Sequence, residues 1–303
     1  MATPYLGDLV AAMTGIDLPL PIPVFGLSVV LAMFVAGLFL RRELARLHAA
    51  GELGYAQLRY RTARGERARR PVAPAEIVSD LTLVTLLAGV IGARVFHILE
   101  HTGEFLADPA SMIFTRSGLS IFGGLIFGTL AGLVWVRRWQ LPALTVLDAA
   151  APALMLGYAL GRVGCQLSGD GDWGIAADMA LKPDWLPAWL WAQTYENNIV
   201  GEVIALPGVY PTPLYEAAMC IGLFAVLWAL RRHGFQKGWL FAVYLVFAGI
   251  ERLLIEQIRH NPVLDFGVLR CTQAEVIAML LILCGVVATA LLARRQPARR
   301  MRI

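Results

Sequence analysis

The chain has 303 residues, 58% of them apolar and only 16% charged, and its 26 basic and 22 acidic side chains give a formal net charge of +4. Soluble domains carry roughly a quarter charged residues, and the apolar residues here fall in near-continuous runs that no aqueous core would absorb. Composition therefore excludes an ordinary soluble protein. Arginine-rich loops facing anionic lipid account for the positive balance, so no nucleic-acid partner is expected.

A helix needs about 20 mostly apolar residues to cross a hydrocarbon layer of about 30 Å. Seven stretches meet that length, at 22–40, 79–99, 118–136, 143–163, 212–230, 239–258 and 273–293. The expected fold is a single all-α, polytopic membrane domain over 1–303 with about seven transmembrane helices. Residues 1–21 contain Asp8 and Asp17 and no Lys or Arg, so the first stretch reads as an anchor with its N-terminus outside rather than a cleaved signal. Residues 41–75 follow with nine arginines and read as a basic cytoplasmic arm whose start continues the first helix. Further basic residues follow the third stretch (Arg137, Arg138), the fifth (Arg231, Arg232, Lys237) and the last (Arg294, Arg295, Arg299, Arg300, Arg302). One side thus holds 19 Lys and Arg against four on the other (Arg116, Lys182, Arg259, Arg270). The excess marks the cytoplasmic side, giving an N-out, C-in topology. Residues 170–210 form the longest outside loop; Trp173, Trp185, Trp189 and Trp191 are expected to seat it on the outer leaflet, with Pro183 and Pro187 breaking any long helix.

Charges inside the spans are costly and mark functional sites by default. Arg94, Arg162 and Arg252 lie within predicted spans, with Glu216, Glu251 and Glu256 as candidate partners. Arg252, Glu256 and Arg259 follow at i, i+4 and i+7 and share one helix face. Two arginines around one glutamate leave a surplus positive charge there, which a phosphate would neutralise. Arg162 closes the fourth span at a glycine-rich turn over 161–174, whose exposed amides would cradle an anion. In the third span, Gly123-Gly124 and the Gly124-xxx-Gly128 spacing suit either close helix packing or backbone approach to a ligand. Cys165, Cys220, Cys271 and Cys284 show no CxxC pair and no histidine at metal spacing, and Cys220 and Cys284 read as small buried residues. Neither a disulfide framework nor a metal or cofactor is expected.

The order of these motifs resembles the bacterial prolipoprotein diacylglyceryl transferases, colinearly from about residue 22 to 290. The likeness rests on Gly92-Ala93-Arg94, Gly123-Gly124-Leu125-Ile126 and Gly161-Arg162-Val163-Gly164. It continues through Pro211-Thr212-Pro213-Leu214-Tyr215-Glu216, Arg252…Glu256…Arg259 and Thr272-Gln273. The resemblance implies an inner-membrane enzyme of lipoprotein biosynthesis. Such enzymes move the diacylglyceryl group of phosphatidylglycerol to the lipobox cysteine thiol of a prolipoprotein, forming a thioether and releasing glycerol phosphate. It implies Arg162 and Arg252 as the residues stabilising charge on the departing phosphate. Arg94, Gly123, Gly124, Cys165, Ser168, Tyr215, Glu216, Glu256 and Arg259 are implied as substrate-binding, with Glu256 holding both Arg252 and Arg259.

The chain departs from the family at the usual base. Phe122 stands where those enzymes have a histidine before Gly-Gly, and Tyr210 replaces the histidine before the Pro-x-x-Leu-Tyr-Glu element. The turn reads Gly164-Cys165-Gln166 and Ser168-Gly169-Asp170 in place of Gly-Asn-Phe and Asn-x-Glu, and Ala248 replaces a tyrosine. His97, one turn beyond Arg94, and Asp170, in the turn, are candidate proton acceptors; the arginine field lowering the thiol's pKa is a third route. Two other function classes stay open: a phospholipid-binding relative using another acceptor or none, and a transporter. A retinal receptor is excluded, because Lys182 and Lys237 are the only lysines and neither lies in the last span.

Overall fold

The computed structural model describes residues 2–61, 67–114, 120–259, 261, 263–265 and 270–294. In chain order the helices and strands are α1 (Leu6–Thr14), α2 (Val24–Ala49), β1 (Ala56–Arg61), β2 (Arg67–Val72), α3 (Val78–Glu100), α4 (Thr102–Ala107), α5 (Pro109–Phe114), α6 (Ile121–Arg138), α7 (Ala143–Ser168), α8 (Ala188–Trp191), α9 (Thr212–Leu230), α10 (Trp239–Glu256), β3 (Val263–Asp265), β4 (Arg270–Thr272) and α11 (Gln273–Leu292). Six helices among the described residues, α2, α3, α6, α7, α9 and α11, are long and apolar enough to cross a membrane. The seventh expected span is present as the 18-residue α10, but Glu251, Arg252 and Glu256 on it exceed the charge a plain span tolerates. With α10 the described residues hold the seven long helices expected, and the charges on α10 show where the polar centre lies. The arginines Arg116 and Arg270, counted above for topology, lie respectively outside the described residues and in a strand described only by its backbone.

Contacts divide the chain into two compact units, Met1–Ala36 with Ala150–Ile303, and Gly37–Ala149. In the first, Ala151, Met155 and Ala159 of α7 pack with Cys220 and Leu227 of α9 and Leu240 of α10 into a fully apolar core. The N-terminal segment is stitched to the C-terminal end of α7 and to the loop before α9, with Thr3 N–H donating to Leu167 O (2.7 Å) and Ala2 N–H to Glu196 O (2.6 Å). Asp8 accepts from the Tyr5 amide (2.9 Å) to start α1, which ends at Gly15 in a left-handed turn. Cys220 is buried as expected, but Cys284 is exposed on α11, a helix whose outer face is apolar enough for lipid to cover a thiol.

In the second unit, α2 runs to Ala49, nine residues past its expected end, where Glu43 pairs with Arg46 one turn on (2.6 Å). The basic arm then folds back as an antiparallel hairpin, Ala56 opposite Val72 and Arg61 opposite Arg67, tied down by Gln57 N–H donating to Trp139 O (2.9 Å). Helices α3 and α6 cross at glycine: a Cβ on Gly123 would overlap the Gly92 backbone and Phe96, and one on Gly92 would overlap Phe127. Gly124 and Gly128 have ordinary contacts only, with a Cβ 3.5 Å from Gly89 O and Thr85 O. The close approach therefore lies one residue before the Gly124-xxx-Gly128 pair that the spacing suggested.

Gly123→Ala should accordingly lower the apparent Tm of detergent-solubilised protein, at a cost of about 1–3 kcal/mol for overpacking. Gly124→Ala should leave it unchanged within about 0.5 kcal/mol; equal effects of the two substitutions would contradict this packing.

Candidate active site

The site assembles from four helix ends of the first unit: the C-terminal ends of α7 and α10 and the N-terminal ends of α9 and α11. The stretch Gly161–Ser168, expected as an open glycine-rich turn, is helical, and the turn begins only at Gly169. Its amides up to Ser168 are therefore engaged in the helix rather than exposed, and the expected anion cradle of the early turn is not formed there. The Ser168 hydroxyl, fully buried, donates back to Gly164 O (2.8 Å) and Cys165 O (3.3 Å), holding this last turn in place of a ligand contact.

Arg162 consequently projects from a helix whose neighbours are pinned. The segment after the turn runs alongside the end of α10, with Gly174 N–H donating to Tyr210 O (2.9 Å) and Ile175 N–H to Ile258 O (2.8 Å). Any Cβ on Gly174 would lie 2.5 Å from Ile258 O, so only glycine admits this approach. It brings Asp172 between two arginines 10 and 87 residues away in sequence: Arg162 Nη1 and Arg259 Nη2 each bond one of its carboxylate oxygens. Thr212, at the start of α9, donates to the Asp172 carbonyl (2.7 Å).

Glu216, wholly buried one turn into α9, is the centre of the cluster. Its carboxylate lies 2.9 Å from Arg162 Nε, 3.7 Å from Arg252 Nη1 and 3.6 Å from Arg259 Nη1. Tyr158, one turn before Arg162, accepts from Arg162 Nη2 (3.0 Å) and donates to Glu216 Oε1 (3.3 Å). Glu256 pairs with Arg252 (2.9 Å) and accepts from Asn261 (2.8 Å) and Thr272 (2.5 Å). Thr272 also caps α11 by accepting from the Glu275 amide (3.1 Å), so a single residue fixes both the helix start and the Arg252 partner.

Two expectations are corrected here. Glu256 holds Arg252 alone, because Arg259 turns to Asp172 and Glu216. The surplus positive charge inferred from the α10 face is also matched: Asp172, Glu216 and Glu256 balance the three arginines. Hydrogen bonding is less complete than charge, since Nη1 of both Arg252 and Arg259 is buried without a hydrogen-bond partner among the described residues. Arg252 is the most accessible of the three, 24% exposed against 13% for Arg162 and 10% for Arg259.

Asp172 and Tyr158 join the cluster in addition to the residues the sequence singles out. Tyr158 was legible from its i, i+4 spacing to Arg162; Asp172 was not, because its partner Arg259 arrives from another helix. Cys165 is buried with its sulfur 3.8 Å from Arg162 Nη1, and burial raises the neighbouring Asp170 carboxyl above the usual carboxylate range. Tyr215 donates to Leu190 O (2.5 Å), fixing α8 beside an apolar cavity of about 490 Å³ lined by Leu186, Leu190, Trp191, Tyr210, Tyr215 and Ile258. Trp185 and Trp189 of the same loop are 80% and 60% exposed. The other sequence candidates belong to the second unit: Arg94 donates to Met112 O (3.2 Å), Gly123 and Gly124 lie on α6, and the His97 ring lies tilted against that of His101, with centroids 4.4 Å apart.

Burial alone would raise the Asp172 carboxyl, but Arg162 and Arg259 outweigh it and hold the group below its ordinary range. The stability it contributes is therefore complete above about pH 4, the unfolded value, and is lost as pH falls through the lower folded value. Asp172→Asn should cost roughly 2 kcal/mol at pH 7, low in the range for a broken buried pair because the side chain is 29% exposed. Thermal melts from pH 7 to pH 3 should show a shallower acid-side loss in this variant than in wild type.

The family described as prolipoprotein diacylglyceryl transferase matches residues 12–291. Similar proteins include the phosphatidylglycerol–prolipoprotein diacylglyceryl transferase of Lactobacillus delbrueckii subsp. bulgaricus, 32% identical over 212 residues that cover 69% of this chain and 73% of that protein. The Leptospira interrogans protein of the same name is 31% identical over 229 residues, 66% of this chain and 68% of its own. The Corynebacterium glutamicum one is 31% identical over 208 residues, 64% of this chain and 63% of its own. The match spans the arginine cluster and every helix that builds it, and the chain belongs to the prolipoprotein diacylglyceryl transferase family.

Proposed function

We propose that this chain transfers the diacylglyceryl group of phosphatidylglycerol to the cysteine thiol of a prolipoprotein in a bacterial cytoplasmic membrane. Family membership and the activity named for the relatives support the reaction. The observation that carries it to a site is the convergence of Arg162, Arg252 and Arg259 on buried Glu216, with two Nη1 donors not hydrogen-bonded among the described residues. A phosphodiester supplies the oxygens such donors require.

The thiolate attacks the glyceryl carbon that bears the phosphodiester oxygen. A C–S bond forms, the C–O bond breaks, and its electron pair leaves on glycerol phosphate. Negative charge gathers on the leaving phosphate, where Arg162 and Arg252 stabilise it; oriented guanidiniums in a site poor in water act without reorganising. Glu216, Glu256 and Arg259 hold those guanidiniums in position. Asp170, with its carboxyl raised by burial, takes the thiol proton in this reading, and His97 is the alternative acceptor. Cys165 is not the nucleophile, since the acceptor brings its own thiol. Arg94, Gly123, Gly124, Cys165, Ser168 and Tyr215 are assigned to substrate binding, with Ser168 and Tyr215 shaping the walls because their hydroxyls are committed to backbone carbonyls. The charge asymmetry of the loops supports an outside N-terminus, and the cluster shares the end of the first unit to which that terminus is stitched, which supports a site on the extracytoplasmic leaflet.

The full pairing of the three arginines favours a second reading, phospholipid binding without this transfer. Incubation of purified protein with phosphatidylglycerol and a lipobox-cysteine peptide separates the two. Peptide gaining the diacylglyceryl mass is expected; bound lipid with unmodified peptide would establish the second reading. Arg162→Ala and Arg252→Ala should each lower the rate about 10²–10³-fold or more with the chain still folded. Asp170→Asn should remove the acid limb of the rate profile, because wild-type activity rises as that carboxyl deprotonates. An unaltered acid limb in Asp170→Asn would transfer the base role to His97.

A further inference from the structure

His97, Glu100 and His101 occupy the last turn of α3 and the residue that ends it, spelling His-Ile-Leu-Glu-His. One ligand atom from each lies within 4.8 Å of the other two. Zinc bound at about 2.0–2.1 Å to imidazole nitrogen and carboxylate oxygen needs ligand separations of about 3.3–3.5 Å. Glu100 and His101 are exposed, so small rotations reach that spacing without repacking.

Two further features suit a cation. His101 Nδ1 lies 3.1 Å from the His97 carbonyl, which can only accept; Nδ1 therefore carries the proton and Nε2 keeps its lone pair. The end of α3 also presents its last carbonyls here, the negative pole of a 23-residue helix. The other three-residue grouping, Cys165, Asp170 and Asp172, is less suited, because Asp172 is engaged by Arg162 and Arg259.

We propose that the C-terminal end of α3 binds one divalent cation of the zinc class through His97, Glu100 and Nε2 of His101, with water completing the shell. Two imidazoles and one carboxylate select zinc, cobalt or nickel over magnesium and calcium, which require mostly oxygen. The expectation that the chain has no metal site came from its cysteines and is revised at this helix end. The proposal does not rest on the transfer reaction, and an ion on His97 would occupy the alternative proton acceptor, so its test reads the metal directly.

Purified full-length protein in detergent is titrated with Co(II), followed by visible absorption, and with Zn(II), followed by calorimetry. One equivalent should bind with tetrahedral-type Co(II) absorption and be displaced by Zn(II). His101→Gln should lose that equivalent, and Glu100→Gln should weaken it about 10-fold or more; transfer activity without metal should be unchanged in His101→Gln. Both side chains are exposed, so neither substitution disturbs the packing of α3. Unchanged stoichiometry and affinity in His101→Gln would overturn the proposal, as would an intense near-ultraviolet thiolate band placing the ion on cysteine.

Discussion

A fully buried carboxylate facing three guanidiniums sets the terms for this protein. Glu216 has no exposed surface, and removing an ionised carboxylate from water without partners costs several kcal/mol. Arg162, Arg252 and Arg259 supply the opposing charge, and Tyr158 supplies a hydroxyl donor. Because each arginine has a second carboxylate, Asp172 or Glu256, the cluster is a network in which no member moves alone. Its contribution lies in geometry more than in net stability, since buried ion pairs roughly break even against their desolvation.

That geometry explains features that look unrelated along the chain. Gly174 lets the loop after α7 press against the end of α10, which delivers Asp172 to Arg259. Thr272 begins α11 and secures Glu256, which orients Arg252. Thr212 and Tyr215 at the start of α9 fasten the loop at its beginning and near its middle, to Asp172 and to Leu190. Helix ends, loop and charge network are thus one construction, closed around Glu216.

The helix α10 illustrates why composition and chemistry conflict at a functional site. Its three charges are costly in a membrane span, yet it packs Leu240 into the same apolar core as α7 and α9. A bundle tolerates charged side chains at such depth only where they pair with one another.

The membrane class, the long apolar helices, the arginines of interest and their likeness to a transferase family were all legible in the sequence, because run length, composition and local spacing report them directly. Helix periodicity even placed Arg252 and Glu256 on one face, and they do pair. Glu216 was legible as a candidate partner for the arginines and does face Arg162 and Arg252, but the partners that arrive through the loop and across helices were not. Asp172 meets Arg259 across 87 residues and Glu216 meets Tyr158 across 58, and no local pattern encodes an approach that depends on how separate helix ends and a loop pack. Tertiary structure also decided that Gly161–Ser168 stays helical, since its buried serine and paired arginine outweigh the weak helix preference of glycine. The residues named the charges; only packing could say which of them meet.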